Sequence, residues 1–261
     1  MIADRINKAE LTNETSYALF KRIGAQIREG EIQIGRKHYA LSLAHSVKQA
    51  IHCGYDQIVA IELGVGTGKG LLDLCKAAEF FRDMLEIDIQ VYGLDNGTGL
   101  PQAADYRDHP EIWQQGFYSM QNSQSLQKKL PSFAKLLLGE VGDTVMQLLN
   151  NLGNAKIAFV ALDLDYYSST KRALKLLTSE NAEHYLPAVP IYVDDVEIFI
   201  TLNESCGEAA AINEFNAQFP HRRIEPKPNF DIQRFHVCHV LDHPIRHGIV
   251  KPKIPLFISM I

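Results

Sequence analysis

The stretch QIVAIELGVGTGKG, residues 57–70, is an apolar run that closes on Glu62 and enters a turn with glycine at 64, 66, 68 and 70. Its first seven residues read as a buried strand, because apolar side chains at consecutive positions leave neither face for water. Glycines at the turn permit positive φ and leave room for a ligand against the main chain. A helix is predicted next, over about 69–84, and its first N–H groups are free to meet an anion.

The same alternation continues along the chain. Apolar strands are predicted at about 57–63, 88–94, 135–139, 156–163 and 189–194, with helices at about 69–84, 121–130, 142–151, 169–179 and 205–218. Strands apolar on both faces, alternating with helices, specify a parallel sheet covered on both sides. Segments 222–226 and 233–241, joined by the turn-like PKPNF, suggest an antiparallel hairpin on the sheet edge. Residues 14–54 read as helical. The expected organisation is an N-terminal helical extension (1–54) followed by one doubly wound α/β domain (55–261). In such a sheet, ligands bind at the carboxyl ends of the strands, beside the first one.

Bulk properties exclude several classes. The 261 residues carry a formal net charge of −5, with 46% hydrophobic and 22% charged side chains. That charge argues against a nucleic-acid partner, and Lys128-Lys129 or His221-Arg222-Arg223 are too short to reverse it. The start, MIADRINKAELTNETS, lacks the apolar core of a secretory signal, and no run is long enough to span a membrane. Cys53, Cys75, Cys206 and Cys238 form no CxxC pair, so reduced thiols in a cytoplasmic protein are expected.

Four aspartates end two of the strands: Asp163 and Asp165 in ALDLDYYSST (161–170), Asp194 and Asp195 in IYVDDV (191–196). Adjacent strands lie about 4.8 Å apart, so if these strands are neighbours the carboxylates converge on one small volume. Clustered carboxylates resist joint ionisation unless a divalent cation or a proton-transfer task compensates them. The plainer readings are a helix start before Ser168-Ser169-Thr170 and a solvated turn at Asp194-Asp195.

Three ligand patterns compete for the glycine turn. A P-loop fails because Leu63 and Gly70 occupy its first and last positions. The dinucleotide pattern GxGxxG fails because Lys69 stands where its third glycine belongs. What remains, AIELGVGTGKG, resembles the first motif of class I S-adenosylmethionine-dependent methyltransferases. The resemblance continues in order through VYGLDNGTGLP (91–101), LLLGEVGDTV (136–145) and both aspartate motifs. The order of LDLDYYSST and YVDD is most similar to the metal-dependent macrocin and aminocoumarin-sugar O-methyltransferases.

That resemblance implies a seven-stranded Rossmann-like sheet and binding of S-adenosylmethionine and Mg²⁺. It places Gly64, Gly66 and Gly68 along the methionine portion of the donor, with Glu62 orienting the loop. It gives Asp95 to the ribose hydroxyls, the plainer alternative being a turn residue of DNGTG. Glu140 and Val141 fall at the adenine, where relatives often carry an aromatic that this chain lacks. Asp163 adjoins the donor and, with Asp194 and Asp195, would bind the metal; Asp165 falls where the sugar enzymes have a proposed general base.

The long segment 96–120, with Tyr106, His109, Trp113, Phe117 and Tyr118, is a candidate substrate wall or lid. Tyr166 and Tyr167 are candidate substrate contacts or core residues. The leading expectation is an Mg²⁺-dependent O-methyltransferase acting on a small hydroxylated molecule, with no nucleic-acid or membrane partner and with a homo-oligomer open. Its rivals are a non-catalytic donor-binding regulatory protein and a nicotinamide-dependent oxidoreductase.

Overall fold

The first strand forms as its sequence requires: β1 (Gln57–Leu63) exposes Gln57 and buries every residue after it. Around it the computed structural model, which describes residues 5–196, 202–228, 232 and 234–255, assembles one sheet. The other strands are β2 (Asp88–Asp95), β3 (Ala134–Leu138), β4 (Lys156–Leu162), β5 (Ala188–Val193), β6 (Arg222–Pro226) and β7 (Phe235–Val240). Their order is β3-β2-β1-β4-β5-β7-β6, with β7 antiparallel to both of its neighbours and the rest parallel. The edge hairpin is therefore present; residues 229–231 of its turn and residue 233 at the start of the expected second segment lie outside the described residues.

Helices flank the sheet. α1 (Asn13–Glu29), α2 (Lys37–Cys53) and α3 (Lys69–Leu85) pack in succession, and α2 also packs on β4 and β5. α5 (Val141–Asn150), α6 (Tyr167–Ala173) and α7 (Gly207–Gln218) form a second group, while the short α4 (Ser123–Lys129) precedes β3. Within residues 14–54 the helix is broken, because Gly30 adopts φ 80° and its N–H bonds to Gln26 O and Ile27 O, a left-handed stop. α2 is anchored by polar contacts as well as by its apolar face. Ser46 Oγ donates to Ala158 O at 2.6 Å, and the Gln49 amide satisfies both backbone groups of Ala188 at the start of β5. Among the described residues no helix is long and apolar enough to cross a membrane. Cys53, Cys75 and Cys238 are buried and none of the four cysteines is paired.

Strand register positions the site. Leu63 is aligned with Leu94 on one side and Leu162 on the other, and Leu162 with Val193. The residues that follow, Gly64, Asp95, Asp163 and Asp194, therefore share one carboxyl edge. Strand order reverses between β1 and β4, which is where a doubly wound sheet opens a crevice.

Candidate functional site

At that crevice the glycine turn and the end of β4 meet backbone to backbone. Gly64 has φ 84°, and a β-carbon there would lie 1.7 Å from the Asp163 carbonyl oxygen. Asp95 ties the turn down: its Oδ2 accepts the N–H groups of Val65 and Gly66 at 2.8 and 2.9 Å, and its Oδ1 accepts Gly97 N–H at 2.6 Å. A carboxylate offers about four lone-pair sites, so Asp95 keeps acceptor capacity toward the cavity it lines. That cavity, about 630 Å³, is also lined by Gly64, Gly66, Glu140, Val141, Asp163, Asp165, Asp194 and Asp195. Its size falls in the range of about 300–1,000 Å³ usual for small-molecule sites.

Two of the glycine-turn residues face elsewhere. Gly68 starts α3 in the left-handed region at φ 86° and abuts Leu126, whose Cδ1 would be 2.5 Å from an added β-carbon. Glu62 is buried behind the turn against Gly70. It accepts a hydrogen bond from the Tyr39 hydroxyl at 3.0 Å and has the Arg36 guanidinium 3.7 Å away. Burial pushes the Glu62 carboxyl up to about 8, with Arg36 opposing that rise. Glu140 caps α5, accepting Gly142 N–H at 2.7 Å and pairing with Arg172 at 2.9 Å.

The four aspartates converge. Asp163, Asp194 and Asp195 each present a carboxylate oxygen within 4.8 Å of the others. Arg36 Nη1 donates to Asp163 Oδ2 at 3.3 Å, while Asp194 is held by Arg234 at 2.7 Å and by the Tyr192 hydroxyl. Burial first, then the neighbouring Asp194, pushes Asp163 up to about 7. Asp165, only 7% exposed, is at the apex of a tight turn with φ 58°, where Tyr166 N–H returns to Leu164 O. A non-glycine residue held in that region stores about 1–3 kcal/mol of strain. Burial and Asp195 raise the Asp165 carboxyl far above the usual carboxylate range, and the two side chains share a hydrogen bond. Such a pair carries one proton between its members, because like charges in contact do not both ionise.

These donors suit a hard divalent cation. All are carboxylate oxygens, as Mg²⁺ prefers. Asp195 Oδ2 is moreover buried without a hydrogen-bond partner, a free acceptor on a residue of the cluster. A cation there would supply the charge that Arg36 and Arg234 only partly provide.

Loops complete the walls. Trp113 and Tyr118 from segment 96–120 line the cavity together with Leu100, whereas Tyr106 and Phe117 point to solvent. Tyr166 and Tyr167 are core residues: Tyr166 packs with Leu100 and Trp113, and Tyr167 bonds Glu214. Asp165 does not cap α6. The cap is Asp108, fully buried, whose carboxylate accepts Ser168 N–H and Oγ–H at 2.7 and 2.8 Å and Ala104 N–H at 2.7 Å. Arg36, Tyr39, Asp108 and Glu208 are absent from the sequence expectations. Each acts on a partner distant along the chain, and no local spacing marks it.

No protein-family model matches the sequence, and no curated protein matches it. In three dimensions the chain is similar to CalS11, a calicheamicin methyltransferase, at 17% identity and a TM-score of 0.56, over 88% of this chain and 94% of that one. It is similar also to the O-methyltransferase NovP, at 17% identity and a TM-score of 0.53, over 78% of this chain and 79% of that one. At such identity the likeness speaks to architecture alone, and it agrees with the strand order and the edge hairpin. The chain has the class I methyltransferase fold that these two structures share.

Proposed function

We propose that this protein is a cytoplasmic S-adenosylmethionine-dependent O-methyltransferase that uses Mg²⁺ and acts on a small acceptor with vicinal hydroxyls. The observation that carries this reading is that the glycine turn, Asp95 and all four strand-end aspartates open into one cavity. The donor supplies an electrophilic methyl group, and the cation supplies positive charge that lowers the pKa of an acceptor hydroxyl. Gly64 and Gly66 leave the main chain open to the donor, and the unused lone pairs of Asp95 suit its ribose hydroxyls. Val141 and Glu140 flank the adenine end. Asp163, Asp194 and Asp195 would hold the cation. A cation on Asp195 would displace the proton that Asp165 and Asp195 share. Asp165, then ionised, would take the hydroxyl proton, since a buried aspartate with a raised pKa is a stronger base than an exposed one. Trp113 and Tyr118 offer the acceptor an aromatic wall, which fits glycosides such as those found on natural products; the similarity to a calicheamicin methyltransferase agrees with that class. The unpaired cysteines fit a reducing compartment.

Incubation with S-adenosylmethionine and a panel of vicinal-diol glycosides, following S-adenosylhomocysteine release, tests the proposal. Release should cease with EDTA and return with Mg²⁺. Release untouched by EDTA and by Asp194→Ala would remove the metal role. Donor binding indifferent to Mg²⁺ and to Asp165→Asn, without turnover on any diol, would favour a regulatory donor-binding protein instead.

A further inference from the structure

The proposed chemistry leaves one buried acid unused. Glu208, the second residue of α7, is fully buried. Its Oε1 accepts Leu164 N–H at 3.0 Å and its Oε2 accepts Asp195 N–H at 3.0 Å. Leu164 lies between Asp163 and Asp165, so a single carboxylate joins the loop after β4 to the loop after β5. The sheet itself has ended there: the last paired residues are Leu162 and Val193, and the last ladder bond runs from Asp194 N–H to Leu162 O at 3.0 Å. Gly207 makes the placement possible, because its φ of 56° begins α7 beside the His109 ring, with Glu208 turned inward.

No Lys or Arg pairs with Glu208 among the described residues. Burying a carboxylate without a cation is costly, and a neutral side chain could hold either loop alone. A glutamine offers one acceptor and sets its NH₂ against the second N–H. A carboxyl group meets the two amides with two separate oxygens, which a single amide oxygen does not.

We infer that Glu208 is a positioning residue, a clamp that sets the distance between Asp163 and the Asp194-Asp195 pair before a cation arrives. This role rests on the cation reading above. Outer contacts of this kind typically change metal affinity by about 10–100-fold when removed.

The test uses the full chain with Mn²⁺ as the probe, read by electron paramagnetic resonance, and calorimetry with S-adenosylmethionine as the control. Glu208→Gln should lose about tenfold or more in Mn²⁺ affinity while metal-free donor affinity stays within about twofold, because Asp95 holds the glycine turn independently. Wild-type Mn²⁺ affinity in Glu208→Gln and Glu208→Ala would overturn the clamp. Equal losses of Mn²⁺ and donor affinity would overturn it too, since they mark a residue of the fold. Should neither variant fold, hydrogen exchange of the metal-free wild type decides: the Leu164 and Asp195 amides should be protected, and exchange as fast as exposed loop amides would refute the clamp. If the wild type binds no Mn²⁺, the cation reading fails by itself, and the clamp stands or falls on amide exchange.

Discussion

At Gly64 the main chain runs so close to the Asp163 carbonyl that a β-carbon would lie 1.7 Å from its oxygen, at a φ of 84° that side chains rarely adopt. Gly64→Ala should therefore lower the unfolding free energy by about 2–4 kcal/mol in urea titration, through strain and a backbone clash that no rotamer relieves. Tyr39 is a second sensitive residue. Its hydroxyl donates to Glu62 and accepts from Arg36 at 2.6 Å, so Tyr39→Phe strands a buried carboxylate oxygen and should cost about 1–3 kcal/mol in the same measurement. The glycines and aspartates were legible in the sequence because their message is local: positive φ after a strand, or charge at the end of an apolar run. Arg36 and Glu208 carry no such signal. An arginine before a helix and an acid in a first helical turn are ordinary until folding brings Asp163 and Leu164 to them.

The elements were legible for a related reason. Both-face burial makes β1 and β4 continuous apolar runs, and their predicted limits agree with the structure to within one residue. Where the limits moved, tertiary contacts moved them. α6 begins at Tyr167 rather than 169 because Asp108, 60 residues earlier, caps it at Ser168. Its last turn tightens into a 3₁₀ segment, Leu174–Leu177. Asp108 also joins segment 96–120 to α6, so the cavity wall and the helix are one mechanical unit. Asp108→Ala removes a cap and two further hydrogen bonds; it should destabilise the chain by about 2 kcal/mol and speed amide exchange around Ala104 and Ser168. Unchanged exchange there would show that the loop is held by its aromatics instead.

For the molecule as a whole, buried acids set the response to pH above about 6.5, where the histidines have lost their protons in the unfolded chain as well. Burial raises Glu62 to about 8 and Asp163 to about 7, from ordinary values of 4.5 and 3.8. Between the ordinary and raised values the folded chain binds more protons than the unfolded one, so stability falls as pH rises. Burial lowers His38 and His45 to about 4, and they act with the opposite sign up to about pH 6.5. The melting temperature in EDTA should therefore drop from about pH 6.5 to about pH 8, while stabilisation by added Mg²⁺ should grow, because the cation displaces protons. A melting temperature that climbs over that range would mean the cluster is ionised without help. The proposed function rests on the shared cavity accepting the donor. Calorimetric titration of the protein with S-adenosylmethionine tests that claim most directly: saturable binding of one donor per chain, abolished by Asp95→Ala, is the expected result, and no binding heat up to about 1 mM donor would contradict it.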